Sequence, residues 1–440
     1  MKRKNIQKAA IGIFFIAAMG SLIGCSHKKE NPPNIVVVVI DTLRADHLPV
    51  YGHSKNTAPF ISHLASQAAV FERAYSASSW TAPATASIFT SLYPFQHGVV
   101  TGLLAARRLQ QKNHKILVNR IPEEIQTLTE LVHQRGYRTF GVSDNINIQR
   151  LQGFTAGFEK FRLFHDASAQ ALNGQIKKWA GEFRNSRPYY LYIHYNDPHA
   201  KYTPRSPWYR KMDDPLEDMK SAYDSEIRYT DEKLREIFEL LGWDNNTLLI
   251  LTADHGEEFG EHGGQGHGRT LYREVIHVPL LIYFPPGERA HRRVAAQVST
   301  LDILPTIQDY LGLKRARIWA GNSLLSLIGN DPGQESRRVI YSHLQLKMAG
   351  QPDQIAISAI SESWKFIRNL NGSNELFNLE KDFLEKQSWF GQPGYGKIAA
   401  GLEMQFISFE KKSPKFEKQT APYTLDQKML EELKALGYIK

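Results

Sequence analysis

Two apolar runs in this chain end in acids. Ile35-Val36-Val37-Val38-Val39-Ile40 leads into Asp41, and Leu248-Leu249-Ile250-Leu251 leads through Thr252-Ala253 into Asp254-His255. Unbroken runs of this kind read as central strands of a parallel sheet covered on both faces. Such sheets gather ligand chemistry at the carboxyl ends of their strands, where both acids fall. A third element is Ser78-Ser79-Trp80-Thr81-Ala82-Pro83-Ala84-Thr85. Pro83 belongs to the first turn of a helix, which puts Thr81 at or just before the N-terminus, where free N–H groups attract an anion. An isolated threonine at such a point is a plain cap; here it accompanies two strand-end acids.

Holding these residues requires an α/β frame, and the rest of the sequence supplies one. Thr57-Ala58-Pro59 predicts a helix with Thr57 as N-cap and Phe60, Ile61, Leu64, Ala65 and Ala68 on one face. Pro122-Glu123-Glu124 predicts another that runs to Arg135 and stops at Gly136, before a strand at Tyr137 to Val142. Tyr189 to Tyr195 reads as a strand entering Asn196-Asp197-Pro198-His199. Tyr223, Ile227, Thr230, Leu234, Ile237, Phe238 and Leu241 mark a long amphipathic helix ended by Gly242, and Val278 to Phe284 a further buried strand. The sum is an α/β domain over 34–334, a large mostly parallel sheet sandwiched by helices. Beyond it, Val339–Ser342, Ile355–Ser361, Lys365–Arg368 and, after an Asn371-Gly372 turn, Glu375–Leu379 predict a small antiparallel sheet. With a closing helix at Leu425–Leu436, this makes a C-terminal subdomain over 335–440.

The N-terminus reads as targeting. Lys2-Arg3-Lys4 and Lys8 precede the apolar stretch Ala9 to Ile23, which ends at Gly24-Cys25 and is short of the ~20 residues a spanning helix needs. Leu22-Ile23-Gly24-Cys25 resembles a bacterial lipobox, implying a signal over 1–24, acylation of Cys25, a polar tether over 25–33 and a lipoprotein of the cell envelope facing the periplasm or cell exterior. Cys25 is the only cysteine, so an intrachain disulfide, thiol catalysis and a cysteine-held metal are excluded. Four of the positive charges lie in the signal with no acid, so the net charge falls from +9 to +5. That balance suits an anionic substrate or a membrane surface. The basic residues are scattered, without a zinc-finger or basic-helix pattern, which argues against nucleic acid as a partner.

From Asn34 to near its end, the chain resembles the sulfatase branch of the alkaline phosphatase superfamily. The resemblance rests on Asp41-Thr42-Leu43-Arg44-Ala45-Asp46-His47, Thr81-Ala82-Pro83 through Thr90, Tyr93-Pro94-Phe95-Gln96-His97-Gly98, Asp197-Pro198-His199, Asp254-His255-Gly256-Glu257, Gly260-Glu261-His262-Gly263, Ser299 to Thr306 and Leu436-Gly437-Tyr438, all in the family's order. It implies a divalent metal held by Asp41, Thr81, Asp254 and His255, catalytic roles for Thr81, His199 and His267, and substrate contacts from Asn145, His262 and Arg269. Two carboxylates and an imidazole favour manganese or zinc, with magnesium or calcium possible, as one or two ions.

The departures from the family carry as much. Sulfatases bear a cysteine or serine at position 81, matured to formylglycine, an arginine at position 85, and a lysine and histidine where this chain reads Ser143-Asp144-Asn145. Here both 81 and 85 are threonine. A formylglycine hydrate has two hydroxyls, one to attack sulfate and one to expel it; threonine has one. A phosphorylated threonine can be resolved by a second in-line attack. The expected activity is therefore a metal-dependent hydrolase or transferase with Thr81 as nucleophile, acting on a phosphoester or phosphodiester of an envelope substrate. The alternatives are sulfate-ester hydrolysis without formylglycine and a non-catalytic binding lipoprotein.

Overall fold

Ile35 to Val39 are fully buried and Ile40 is 1 % exposed. Their side chains divide between two cores. Ile35, Val37 and Val39 pack with Phe89, Tyr190, Tyr192 and Ile303, while Val36, Val38 and Ile40 pack with Ile61, Leu172, Ile193, Tyr223 and Leu234. A strand apolar at every position is thus the middle of a sheet with helices on both faces, each buried valine or isoleucine contributing about 1.5–3 kcal/mol.

The computed structural model describes residues 32–102, 115–184, 187–288, 291–315, 318–329, 338–346, 354–370 and 372–424. The strands are β1 (Asn34–Ile40), β2 (Ala69–Tyr75), β3 (Lys115–Arg120), β4 (Arg138–Ser143), β5 (Lys160–Leu163), β6 (Tyr189–Tyr195), β7 (Thr247–Thr252) and β8 (Glu258–Phe259). They continue with β9 (Gln265–Gly266), β10 (His277–Tyr283), β11 (Arg292–Ser299), β12 (Ile340–Leu346), β13 (Gln354–Ile360), β14 (Trp364–Asn369), β15 (Glu375–Asn378) and β16 (Gln419–Thr424). The main sheet has eight strands in the order β11-β2-β10-β7-β1-β6-β4-β5. Only β10 runs antiparallel to its neighbours, so the sheet is mixed and mostly parallel.

Register puts the polar residues together. Val39 lies opposite His194 on one side and Thr252 on the other, and His194 opposite Ser143. The residues just past these pairs, Asp41, Asn145, Asn196 and Asp254, therefore emerge side by side at one edge. The chain leading to Thr81 is clamped at both sides: Ser76 N donates to Ile276 O at 2.8 Å, and His343 N of β12 donates to Ala77 O at 2.8 Å.

The C-terminal sheet is antiparallel, β12-β13-β14-β15, close to the four segments expected. Helix Gly396–Lys412 covers it, with Leu402 and Phe406 against Tyr341, Phe366 and Leu376. The expected closing helix at Leu425–Leu436 lies outside the described residues, as do Cys25 and residues 1–24. Among the described residues no helix is long and apolar enough to cross a membrane.

Two helix starts differ from expectation. Ala58, not Thr57, is the N-cap of helix Pro59–Ala65, and the Thr57 hydroxyl donates instead to His47 O. The free amides of that turn are satisfied from a distance: Phe60 N and Ile61 N donate to the Asp231 carboxylate at 2.9 and 2.7 Å, from the long helix Pro215–Leu241. The helix expected from Pro122 begins later, at Leu128, where Thr127 and Glu130 form a reciprocal capping box. Asp231→Ala should lower unfolding free energy by about 2 kcal/mol in urea titration, because two buried amides lose a charged acceptor. A change under about 0.5 kcal/mol would show that the carboxylate is not the cap.

Candidate active site

Thr81 is the first residue of helix Thr81–Thr90 and is 3 % exposed. Its Oγ1 lies 3.3 Å from His255 Nε2 and 3.4 Å from Asn145 Nδ2. His255 Nε2 in turn lies 3.5 Å from Asp41 Oδ1 and 3.6 Å from Asp254 Oδ2. Five residues from four distant stretches of chain thus meet at one point, where Asp41, Asp254 and His255 are fully buried.

The protons can be placed. His255 Nδ1 is 2.8 Å from Gly256 O, a pure acceptor, so Nδ1 carries the hydrogen and Nε2 presents a lone pair to Thr81 and both acids. Burial and the charge of His267 push the His255 pKa down to about 3, so the ring stays neutral. Gly256 itself is demanded by close approach: a Cβ there would lie 2.1 Å from Glu274 O. That approach lets Gly256 N donate to Val275 O at 2.9 Å and fixes the carbonyl that orients His255.

Asp41 Oδ1 and Asp254 Oδ2 are buried and find no hydrogen-bond donor among the described residues. Two carboxylate oxygens and a ring lone pair facing one another repel unless a cation lies between them. The electrostatics show the same conflict. Burial and the charge of Asp41 push the Asp254 pKa well up. Burial also pushes Asp41 up, but a hydrogen bond from His194 and the neighbouring His199 and His255 outweigh it and hold it low. The donor set, two carboxylates and one imidazole beside a hydroxyl, fits a divalent cation.

The remaining candidates fall into three groups. Asn145 is held by Asn147 N, which donates to its Oδ1 at 2.9 Å; its Nδ2 donates to Asp41 Oδ2 at 2.6 Å and Asn196 Oδ1 at 3.1 Å. Its amide therefore serves Asp41 first and faces Thr81 second. His267 and His199 form the more open wall. Their rings are 5.0 Å apart, and that of His267 is 4.5 Å from His255. His267 Nδ1 is 2.9 Å from the buried Glu257 carboxylate, which also accepts from Tyr202 OH at 2.9 Å. Burial works against a charged His267 ring, but Glu257 raises its pKa overall. Arg269 is exposed, and its charge opposes that of His267.

His262 lies in a different network. Its Nδ1 is 2.6 Å from Glu274 Oε1, its Nε2 donates to Glu385 O at 2.9 Å, and its ring stacks on Tyr272 at 3.7 Å. With both nitrogens engaged it has none left for a substrate, and it acts as a strut between the loop that carries His267 and the C-terminal region. Asp197, before His199, is likewise taken: Arg205 Nη2 donates to Oδ1 at 3.0 Å and Ala169 N to Oδ2 at 2.8 Å. His194, Asn196 and Glu257 join the site although the sequence pattern had not singled them out. His194 had a readable signal, a polar residue in phase with Tyr190 and Tyr192 on an otherwise apolar strand.

Comparisons with known proteins bear on this geometry. The family described as Sulfatase matches residues 33–313, and that described as N-sulphoglucosamine sulphohydrolase, C-terminal, matches 260–412. A Delta 4,5-hexuronate-2-O-sulfatase of Bacteroides thetaiotaomicron is 21 % identical over 86 % of this chain and 89 % of its own. The multifunctional alkaline phosphatase superfamily protein PehA of Trinickia caryophylli is 21 % identical over 86 % of this chain and 95 % of its own. Among solved structures, a phosphonate monoester hydrolase of Agrobacterium radiobacter superposes with a TM-score of 0.71 at 18 % identity, over 86 % of this chain and 96 % of that one.

The His262 strut predicts a pH effect on stability. Burial lowers its pKa, but the Glu274 carboxylate and Glu385 carbonyl raise it overall, so the stabilisation is complete below about pH 6.5 and fades as pH rises through the raised value. His262→Phe keeps the stack on Tyr272 and removes the charge. The wild-type melting temperature should exceed that of the variant by about 2 °C or more near pH 5.5, with a smaller gap near pH 9. Equal gaps at both values would contradict the ion pair.

Proposed function

The chain belongs to the sulfatase family of the alkaline phosphatase superfamily and is a metal-dependent hydrolase of that kind, and on this premise we propose that Thr81 is its nucleophile and that the group transferred is phosphoryl. The observation that carries the reading is the Thr81 hydroxyl 3.3 Å from the unprotonated nitrogen of His255, beside two acid oxygens without donors. Asp41, Asp254, His255 and Thr81 would hold the cation, which when bound supplies positive charge that acidifies the threonine hydroxyl and offsets charge on the transferring group.

The side chains account for the other parts of the reaction. Thr81 Oγ1, fixed at the first turn of its helix, forms the bond to phosphorus while the helix N-terminus faces the equatorial oxygens. His267, its ring held at Nδ1 by Glu257, gives a proton to the departing oxygen, and His199 beside it binds a phosphoryl oxygen at the open side. Water then attacks phosphorus, giving its proton to the His267 that has just lost one, and the Thr81 Oγ1–P bond breaks to release phosphate; an alcohol in place of water completes transfer. Threonine favours phosphorus over sulfur because a sulfated threonine lacks the second hydroxyl that expels sulfate from a formylglycine hydrate.

The relatives named as sulfatases keep the sulfate-ester reading in play, and both readings predict dependence on manganese or zinc. With the Cys25 lipobox, the substrate class is an anionic ester of the cell envelope, reached from a lipid anchor.

The test is mass spectrometry of the Thr81 peptide after brief reaction with a chromogenic phosphodiester and, separately, with an aryl sulfate. A phosphate adduct on Thr81, together with loss of phosphodiester turnover by about a thousandfold or more in Thr81→Ala, is the expected result. A sulfate adduct, or an alanine variant with wild-type turnover, would overturn it.

A further inference from the structure

Asp41 uses its two oxygens differently. Oδ2 accepts from Asn145 Nδ2 at 2.6 Å and lies 3.1 Å from His194 Nε2, whereas Oδ1 has no donor and faces His255 Nε2. His194 is fully buried at the penultimate position of β6, and its other nitrogen, Nδ1, is 2.9 Å from the hydroxyl of Tyr192, two residues earlier on the same face of the strand. An ionised carboxylate only accepts, so the hydrogen between His194 and Asp41 sits on Nε2. Nδ1 of a neutral ring then has a lone pair, and Tyr192 OH donates to it. The chain of donors runs in one direction, Tyr192 to His194 to Asp41.

The three ligand atoms of Asp41, His194 and Asp254 lie within 4.8 Å of one another, a spacing compatible with His194 as a metal ligand. The hydrogen on Nε2 excludes that role, since a ligating nitrogen must offer a lone pair.

We propose that His194, oriented by Tyr192, is a positioning residue that pins Asp41 Oδ2 so that Oδ1 alone is offered toward Thr81 and the cation. This rests on the metal-centre reading above and adds to it a residue that neither touches substrate nor holds the ion. Two strands share the work: Asn145 past the end of β4 and His194 on β6 each give one hydrogen to the same oxygen, which fixes the carboxylate's rotation about its own axis. Losing either leaves Asp41 free to turn Oδ1 away.

The experiment measures Mn2+ affinity of the full chain by calorimetry, alongside nitrogen couplings to bound Mn2+ in pulsed electron paramagnetic resonance. His194→Ala should weaken Mn2+ binding by about 10- to 100-fold, the range found when outer-shell partners are removed. His194→Gln, whose side-chain amide donates from a similar position, should stay within about threefold of wild type. Tyr192→Phe leaves the ring in place and should weaken binding by about fivefold, which covers the case in which the alanine variant does not fold. Wild type and His194→Gln should show the same single directly bound nitrogen. Two bound nitrogens in wild type, or a glutamine variant as weak as the alanine variant, would overturn the positioning role and make His194 a ligand. Absence of Mn2+ binding by wild type would overturn the metal centre itself, a distinguishable failure.

Discussion

Three acceptors aimed at one another set the terms for this molecule. Asp41 Oδ1, Asp254 Oδ2 and His255 Nε2 are buried together; among the described residues the two acid oxygens find no donor, and His255 Nε2 meets only the Thr81 hydroxyl. Leaving ionised groups in this state costs several kcal/mol unless a cation joins them. A fold keeps such a cluster only by over-determining it. Much of the surrounding structure is that restraint: the carboxylate of Asp41 held from two strands, the His255 ring held by a glycine carbonyl, and the approach to Thr81 clamped between Ile276 and β12.

Strain is part of the restraint. Thr42, directly after Asp41, has φ of 56°, a conformation that a β-branched residue adopts at a cost of about 1–2 kcal/mol. It is held there from two sides. Its hydroxyl donates to Pro198 O at 2.8 Å, and Tyr223 OH donates to its carbonyl at 2.7 Å, with Arg44 N closing the turn onto the same phenol at 2.9 Å. The sharp turn sends the chain away from the sheet as soon as Asp41 has been delivered. It also couples the metal-side loop to Pro198, next to His199, so the two walls of the site share a joint.

Much of this was legible in the sequence, for a physical reason. A central parallel strand must be apolar on both faces, so Val36 to Ile40 and Leu248 to Leu251 could be nothing else, and the acids that ended them had to lie at the functional edge. The four C-terminal strands were readable from turns and alternation. Directions in loops were not: the spacing of His262 and His267 along a glycine-rich segment is alike, yet one ring turns to Glu257 and the site while the other turns to Glu274 and Glu385. His194 carried a signal in its phase with Tyr190 and Tyr192, but a histidine among tyrosines is easily read as one more aromatic of the strand. Helix starts failed where the cap came from afar, as Asp231 does for Phe60 and Ile61, since nothing local records a partner 170 residues away.

The family supplies the frame. On the proposed reading, the acceptors around Thr81 bind a divalent cation together with that hydroxyl. Anomalous diffraction at the zinc edge from zinc-soaked crystals tests it most directly. One peak is expected, about 2.0–2.2 Å from Asp41 Oδ1, Asp254 Oδ2, His255 Nε2 and Thr81 Oγ1. A vacant space among those four atoms, with zinc bound elsewhere or not at all, would contradict it.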